Sequence, residues 1–359
     1  MVIESIELNN FRNYEKLTLH FDQGTNIFHG QNAQGKTNIL EAVYLCGTTK
    51  SHKGSKDKEM IRFSAEEAHI RMRLERNGSS HRIDMHLKKN KPKGIAINGI
   101  PIRRASELLG LGNFVFFSPE DLNIIKNGPG ERRRFMDLEL CQLSKVYLFQ
   151  LSNYNKILNQ RNKLLKEIAF HPEYLDTLEI WDMQMVSFGQ KVIREREKFV
   201  RRLNEIAPEI HFRLSGEREE LKISYEKSVE AEEFLKKLKE NREKDLKFKT
   251  TQLGPHRDDL CFQIKGVDIR RFGSQGQQRT TALSLKLSEI ELVKQEIQDT
   301  PVLLLDDVLS ELDSSRQHYL LDSIHDIQTL ITCTGIDEFV ENRFEINKVF
   351  KVVDGVVYE

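Results

Sequence analysis

The sequence lacks any apolar run of about 18 residues, the length that indicates a membrane-spanning helix. It has a single tryptophan and only four cysteines, and Cys46, Cys141, Cys261 and Cys333 are too scattered for a metal-ligand spacing. The amino-terminus enters a strand pattern directly and shows no signal peptide. These features predict a cytoplasmic protein with reduced thiols and no membrane contact.

The chain also lacks a net charge, because its 55 basic and 55 acidic side chains cancel. The charges are unevenly placed: residues 50–104 carry fifteen basic against six acidic side chains, and residues 289–359 carry five against sixteen. A concentrated basic zone indicates a polyanion as partner. Charge alone leaves open the alternative that both zones face solvent or each other.

A glycine-rich loop follows the short strand predicted at residues 26–29 and precedes a helix predicted from residue 36. Its pattern, G-x-x-x-x-G-K-T, lets backbone N–H groups wrap around phosphate oxygens. Lys36 is expected to reach the β- and γ-phosphates of ATP, and Thr37 to ligate Mg²⁺. The flanking strand and helix favour this interpretation over a chance glycine turn. The predicted nucleotide contacts are Gly30, Gln31, Asn32, Ala33, Gln34, Gly35, Lys36, Thr37 and Asn38.

A second motif, at residues 301–307, places two aspartates after four apolar residues. The apolar residues predict a buried strand, and Asp306 at its end is suited to complete the Mg²⁺ shell. Asp307 stands where a second carboxylate can orient the attacking water. Two surface aspartates at a strand end would show the same pattern, but its pairing with the glycine loop favours a nucleotide site. The predicted catalytic residues are therefore Lys36, Asp306 and Asp307.

A third motif, at residues 272–278, places glycines and small polar residues before a helix predicted from Arg279. A helix start of this kind binds anions through its free N–H groups. It is therefore a candidate for a second phosphate contact, formed by Ser274, Gly276 and Gln277. An ordinary helix cap by Ser274 explains the same residues and remains an alternative.

The order of these three motifs resembles that of the ABC-type ATPases, and residues 310–313 look like the dimer-contacting loop of those proteins. The long gap between Thr37 and Ser274 resembles the SMC-like chromosome and repair ATPases more than the transporter ATPases. The resemblance implies an α/β fold, an ABC-type P-loop ATPase head with an inserted, mainly helical second domain. The expected parts are an amino-terminal lobe at 1–118, a helical arm at 119–219 and a carboxy-terminal lobe at 220–359.

More closely, the chain resembles the RecF family of bacterial recombination proteins. The matching stretches occur in order along the whole chain, at residues 10–14, 30–38, 50–52, 118–122 with Pro129, Arg132, Arg133 and Asp137, 254–260, 274–279 and 304–313. The resemblance implies ATP and Mg²⁺ as cofactors, an ATP-dependent homodimer, and binding to double-stranded and gapped DNA. It also implies RecR as a partner, with RecO and RecA in the pathway, and a weak, DNA-stimulated ATPase that acts as a switch.

Residue roles follow from the same resemblance. Ser274, Gly276 and Gln277 would meet the γ-phosphate held by a partner chain, and Arg12 resembles a basic residue that these heads place near the phosphates.

Two residues differ from the pattern of the wider group of ABC-type ATPases. The second carboxylate is Asp307 rather than glutamate, and its shorter side chain fits a slow ATPase. The histidine expected after the strand at 329–332 is absent, and Thr332 and Thr334 stand there instead.

DNA affinity requires basic side chains that displace counterions from phosphates. Two stretches of the basic zone provide them, and no pattern indicates base reading, so sequence-independent contact is expected. The predicted DNA contacts are Lys50, His52, Lys53, Lys56, Lys58, Lys88, Lys89, Lys91 and Lys93. Weaker candidates are Arg103, Arg104, Arg132, Arg133 and Arg134.

Other classes of ATPase remain as alternatives. The ATPase subunit of a membrane transporter would need an apolar groove for a membrane-domain helix, and the basic zone argues against it. Another SMC-like repair ATPase, of the type that carries a nuclease, would need an additional acidic metal cluster, and no separate domain remains to hold one.

Overall fold

The structure is a computed structural model that describes residues 1–335 and 345–359. The chain forms two compact units: Met1–Asp121 with Glu289–Glu359, and Leu122–Ser288. The first unit therefore contains both ends of the chain. The sequence predicts a lobe boundary at residue 220, whereas residues 220–288 belong to the same compact unit as the long helices. The division into functional lobes stays a prediction.

The amino-terminal part of the first unit is mostly β-structure, because its apolar and polar residues alternate. In chain order its elements are β1 (Val2–Phe11), β2 (Tyr14–His20), β3 (Thr25–His29), α1 (Lys36–Thr48), β4 (Glu67–Arg76), β5 (Ser79–Lys88), β6 (Lys91–Ile97), β7 (Ile100–Pro101) and β8 (Phe114–Phe117).

The second unit is mostly helical, because its apolar residues recur at three- and four-residue spacing. Its elements are α2 (Leu122–Lys126), α3 (Pro129–Leu143), α4 (Lys145–Glu167), α5 (Leu178–Leu214), β9 (Leu221–Glu226), α6 (Phe234–Glu240), α7 (Arg242–Phe248), β10 (Asp259–Ile264), β11 (Val267–Asp268), α8 (Ile269–Phe272) and the start of α9 (Gln275–Ile297).

The chain then returns to the first unit. Its remaining elements are β12 (Val302–Asp306), α10 (Ser314–Ser323), β13 (Thr329–Cys333), β14 (Ile346–Val353) and β15 (Val356–Tyr358). The first unit has two six-stranded sheets, of order β2-β1-β4-β5-β6-β7 and β15-β14-β3-β13-β12-β8. The first sheet is antiparallel throughout.

The second sheet of this unit positions the motifs. Its strands β14, β3, β13, β12 and β8 run parallel, and β15 is an antiparallel edge strand. Because the carboxyl ends of parallel strands share one edge, residues that follow β3, β12 and β13 meet there. Every residue of β12 is buried, as its continuous apolar run predicts. The glycine loop and the two aspartates therefore lie at the same edge of the sheet.

Residues 254–260 have a structural role within the second unit. The Asp259 carboxylate accepts hydrogen bonds from Arg132 Nε at 2.5 Å and Nη2 at 3.0 Å, and Arg132 is 1% exposed. Arg133 donates to the Asp258 carbonyl at 2.7 Å. The interpretation of Arg132 as a DNA contact is therefore wrong, because its guanidinium is buried in an ion pair.

Within the described ranges, no helix combines the length and the apolarity needed to cross a membrane.

Candidate nucleotide-binding site

The glycine loop between β3 and α1 has a backbone that requires its glycines. Gly30 and Gly35 have φ angles of 150° and 111°, in the region that favours glycine. A Cβ atom on Gly30 would lie 2.3 Å from the Val352 carbonyl oxygen, and one on Gly35 would lie 2.4 Å from Asn13 Nδ2. Ala33 also has a positive φ, of 66°. The loop is thus closely packed by its neighbours at both glycines, and its backbone conformation depends on them.

Two turns of the first unit hold this loop. From the turn between β1 and β2, Asn13 Nδ2 donates to the Gln34 carbonyl and the Tyr14 hydroxyl donates to the Gly35 carbonyl, each at 3.1 Å. From the turn between β14 and β15, the Asp354 N–H donates to Gln34 Oε1. Burial raises the pKa of the Tyr14 hydroxyl, which keeps it a donor. The loop is preorganised by neighbours from both ends of the chain.

Lys36 places its ammonium group inside the loop. Its Nζ atom donates to the carbonyl oxygens of Gly30 at 2.6 Å and Gln31 at 2.8 Å, and the residue is 7% exposed. Burial lowers the pKa of Lys36, and the carboxylate of Asp307 partly offsets that effect. An ammonium group has three donors, so one remains for a phosphate oxygen.

Thr37 and Asp306 meet at the sheet edge. The Thr37 hydroxyl donates to Asp306 Oδ1 at 2.7 Å, and the Thr332 hydroxyl donates to the same oxygen at 2.8 Å. Hydroxyl and carboxylate oxygens are the ligands that Mg²⁺ prefers, so Thr37 and Asp306 fit this ion. Thr332, which stands where the wider family pattern has a histidine, therefore orients the Asp306 carboxylate.

Asp307 has a left-handed backbone, with a φ of 53°, a conformation that aspartate tolerates better than most residues. Its N–H is directed at Thr332, 3.0 Å from the hydroxyl and 3.2 Å from the carbonyl oxygen. The Ser310 hydroxyl lies 2.9 Å from the Asp307 carbonyl oxygen and 3.2 Å from Oδ1. The predicted base is thus connected to the stretch that resembles a dimer-contacting loop.

A pocket of about 270 Å³ lies over these groups. It brings the phosphate loop together with Asp307, and its size suits phosphates better than a whole nucleotide. It also includes Lys53, which the sequence predicts as a DNA contact. The lining residues are Asn32, Ala33, Gln34, Gly35, Lys36, Thr37, Asn38, Lys53, Asp307 and Thr332.

Arg12 is not among those lining residues and binds α1 instead. Its Nε and Nη2 atoms donate to the two Glu41 oxygens at 2.7 and 2.8 Å, and Nη2 also donates to Ser55 Oγ at 2.8 Å. The Ser51 hydroxyl donates to Glu41 at 2.5 Å. Burial alone would raise the pKa of Glu41, but these hydrogen bonds outweigh it and hold the pKa below its usual range. Arg12 and Glu41 thereby fix the basic loop; a phosphate contact by Arg12 stays a prediction.

The third motif begins α9 in the second unit. The Gln277 N–H donates to Ser274 Oγ at 3.2 Å, and the Ser274 N–H donates to Gln277 Oε1 at 2.9 Å, which is a capping box. Gln277 Nε2 also donates to Glu219 at 2.8 Å. This cap explains why α9 begins at Gln275 rather than at Arg279. Ser274 and Gly276 are exposed, and their phosphate contact stays a prediction.

Lys93 joins the two basic stretches of the first unit. Its Nζ atom donates to the Thr49 carbonyl at 2.6 Å and to Asp57 at 2.8 Å, so the 50–58 loop and the 88–93 turn form one zone. Lys88 and Lys89 form ion pairs with neighbouring glutamates. Side chains exposed in this zone include those of Lys50, Lys53, Lys56, Lys58 and Lys91.

The His52 side chain packs against an aromatic residue of β8. Its ring stacks on Phe116 with a centroid distance of 3.9 Å, and both ring nitrogens are buried. The prediction that His52 contacts DNA is therefore wrong in this conformation, because the imidazole packs against the strand β8.

Comparisons with known proteins identify the family of this chain. The sequence matches the family RecF/RecN/SMC N terminal domain over residues 2–357. It is 65% identical over 357 residues to the "DNA replication and repair protein RecF" of Agathobacter rectalis, and 63% identical to the protein of the same name from Lachnoclostridium phytofermentans. Each alignment covers 99% of both chains.

Solved structures extend the comparison. A structure described as the recombination mediator protein RecF-ATP in the RecFOR pathway superposes with a TM-score of 0.94 at 38% identity, covering 99% of this chain and 97% of that one. An Smc head bound to the C-winged helix domain of ScpA superposes with a TM-score of 0.58 at 17% identity, which shows the fold alone. The predicted ABC-type ATPase head and the resemblance to RecF are confirmed. The chain therefore belongs to the RecF/RecN/SMC N-terminal domain family of ABC-type ATPases.

Proposed function

We propose that this protein is an ATP-dependent, DNA-binding recombination mediator of the cytoplasm. It dimerises on ATP, clamps duplex DNA beside single-stranded gaps and, with RecR, promotes RecA loading; slow, DNA-stimulated hydrolysis releases it. One observation carries the proposal: Thr37 and Asp306 meet at 2.7 Å although 269 positions separate them. Full-length relatives named DNA replication and repair protein RecF support the DNA part.

The phosphate loop supplies the binding groups for the triphosphate. N–H groups at the start of α1 carry the partial positive charge of a helix amino-terminus. Lys36 adds a full charge beside them, held by two carbonyls of the loop. Thr37 and Asp306 would hold Mg²⁺, and this ion, when bound, would supply positive charge beside the phosphate oxygens.

Asp307 is the proposed base that orients the attacking water. Its carboxylate lines the phosphate pocket, while Thr332 holds its backbone and Ser310 lies within hydrogen-bonding distance of Oδ1. Because Ser310 opens the stretch that resembles a dimer contact, a partner chain that moves this hydroxyl also changes the environment of the base. The short side chain of aspartate suits slow hydrolysis.

The start of α9 is the proposed contact with the nucleotide held by the partner chain. Gly276 has open space where a side chain would be, since the nearest atom to its ideal Cβ is Ser274 Oγ at 3.9 Å. A phosphate group can therefore approach the N–H groups of this helix start closely.

Replacing Ser274 with arginine is expected to abolish ATP-dependent dimers, because the long side chain covers the helix start. Nucleotide binding by each chain should stay unchanged, since the phosphate loop is untouched. Sedimentation velocity with ATP measures the first effect, and titration with a fluorescent ATP analogue measures the second. Ser152→Arg, at an exposed position on α4, is the matched control. Normal dimers of the Ser274 variant would contradict the bridging contact.

DNA retention with and without ATP tests the function as a whole. Duplex, gapped and single-stranded DNA should be compared at stated salt, because phosphate contacts weaken as salt rises. ATP is expected to raise retention on duplex and gapped DNA in the wild type but not in Ser274→Arg. DNA retention that is the same with and without ATP on all three substrates would contradict the proposed function.

Lys53 is expected to contribute more to ATP binding than to DNA binding, because it lines the phosphate pocket. Lys53→Ala should weaken ATP binding by roughly fivefold, the effect of losing about 1 kcal/mol from a solvent-exposed charge contact. Lys91→Ala, on the exposed turn, should weaken DNA binding and leave ATP affinity unchanged. Equilibrium titrations of each variant with ATP alone and with DNA alone separate the two effects. An unchanged ATP affinity in Lys53→Ala would contradict this role.

A further inference from the structure

Two histidines and a glutamate share one face of the antiparallel sheet. His69 of β4 and His86 of β5 are direct register partners. Glu67 lies two residues before His69 on β4, so its side chain is on the same face of the sheet. Its register partner on β5 is Lys88. None of the three belongs to the nucleotide site described above.

Their donor atoms converge. The imidazole rings stack with centroids 3.9 Å apart and an interplanar angle of 22°. His86 Nε2 lies 3.0 Å from Glu67 Oε2, and His69 Nε2 lies 3.8 Å from Glu67 Oε1. One donor atom from each residue falls within 4.8 Å of the other two. Both imidazoles thus direct a nitrogen toward the same carboxylate.

We propose that Glu67, His69 and His86 bind a divalent transition-metal ion, with Zn²⁺ as the ion of choice. Two imidazole nitrogens and one carboxylate oxygen form a donor set that suits Zn²⁺, whereas Mg²⁺ prefers oxygen alone. Three protein ligands leave a fourth tetrahedral position for water. The ion would cross-link β4 to β5 next to the basic turn at 88–93.

The side chains can reach the required geometry by rotation alone. Bonds of about 2.0–2.2 Å place tetrahedral ligands roughly 3.4 Å apart, so the longest distance between the donor atoms has to shrink by up to about 1.4 Å. The side chains of His69, Glu67 and His86 are 51%, 49% and 31% exposed, which leaves them free to move without a backbone shift. A pocket of about 440 Å³, lined in part by both histidines, has room for the ion and its water.

Lys88 competes with the ion for the same carboxylate. Its Nζ atom lies 3.3 Å from Glu67 Oε2. A bound dication therefore has to displace this ammonium group, and removing the lysine charge should tighten metal binding. Loss of either histidine should weaken metal binding. The lysine variant and the histidine variants are therefore expected to change the metal affinity in opposite directions.

Zinc titration of the full-length, chelator-treated protein tests the site. Millimolar Mg²⁺ is kept present to occupy the oxygen-rich nucleotide site. Isothermal titration calorimetry is expected to show one Zn²⁺ per chain, and His69→Gln and His86→Gln should each bind at least about tenfold more weakly, since even supporting residues contribute that much. His81→Gln, on the same strand β5, is the matched control and should bind as the wild type does. Co²⁺ should give absorption bands of a tetrahedral site in the wild type and not in His86→Gln.

The outcomes decide between a metal site and a surface ion pair. Lys88→Met should bind Zn²⁺ more tightly than the wild type; equal or weaker binding would contradict the competition. Glu67→Gln provides a second ligand variant if a histidine variant fails to fold. Wild-type Zn²⁺ affinity in both histidine variants would overturn the proposal, as would an equal loss in His81→Gln.

Discussion

Lys36→Ala is expected to weaken ATP binding by roughly tenfold to a hundredfold, the effect of losing a charged hydrogen bond of about 1.5–3 kcal/mol. Hydrolysis should fall further, by about a hundredfold to a thousandfold, because the ammonium group also stabilises charge that develops on the phosphates. The structure supports this expectation, since Gly30 and Gln31 already hold the Lys36 ammonium within the loop. Calorimetric ATP titration and phosphate release measure the two quantities.

Lys58→Ala is the control for this variant. Lys58 is exposed and does not line the phosphate pocket, so its loss should leave ATP binding, and hydrolysis measured without DNA, near wild type. DNA retention with ATP should fall in Lys36→Ala, because the proposed clamp depends on nucleotide. ATP affinity equal to wild type in Lys36→Ala would contradict the nucleotide site itself.

The second large effect concerns a buried charge network in the second unit. Arg161 donates to Asp182 at 2.7 Å, to Asp245 at 2.8 Å and to Thr251 at 2.7 Å. The side chains of Arg161, Asp182 and Asp245 are each 0% exposed. Arg242 reaches the other Asp182 oxygen at 3.0 Å. The network joins α4, α5 and α7.

Arg161→Met is expected to lower the free energy of unfolding by about 3–5 kcal/mol, because it removes the ion-pair partner of the buried Asp245 and leaves Asp182 with Arg242 alone. Trp181 is the only tryptophan in the sequence and packs against the apolar cluster of Leu164, Leu165, Ile168 and Leu178. Its fluorescence in a urea titration therefore reports unfolding of this part of the second unit.

Arg194→Met is the matched control for that measurement. Arg194 pairs with Glu232 at 3.2 Å, and both side chains are more than half exposed, so its loss should change stability by less than about 1 kcal/mol. Arg161→Lys keeps the charge but loses the planar fork, and should fall between the two. Equal urea midpoints for Arg161→Met and the wild type would show that the network contributes little.

Local patterns in the sequence were sufficient for much of the fold. The strand, glycine loop and helix around Lys36 appear where the spacing predicts them, because each depends on residues close together in the chain. The apolar run before Asp306 became the buried strand β12 for the same reason. The predictions that failed are the DNA contacts of Arg132 and His52 and the start of a helix at Arg279. They concern packing partners and helix caps, which local periodicity does not encode.

In the candidate site, too, the sequence predicted the residues of local motifs but not the partners that tertiary contacts bring to them. The sequence identified Lys36, Thr37 and Asp306, whose residue types and order form recognisable motifs. It did not identify the roles of Glu41 and Thr332 in orienting their neighbours. A single acidic residue within the apolar stretch at 39–46 of α1 was the available signal for Glu41.

The sequence by itself determined the nucleotide chemistry, the ABC-type class of fold and the family, because these depend on short motifs and their order. Only the tertiary structure decided which distant residues share a site. Parallel order of β3, β13 and β12 brings Thr332 beside Asp306, and tertiary contacts place Lys53 at the pocket over the glycine loop and His52 against Phe116. Such neighbours are set by strand order and packing between residues far apart in the chain, which no local pattern specifies.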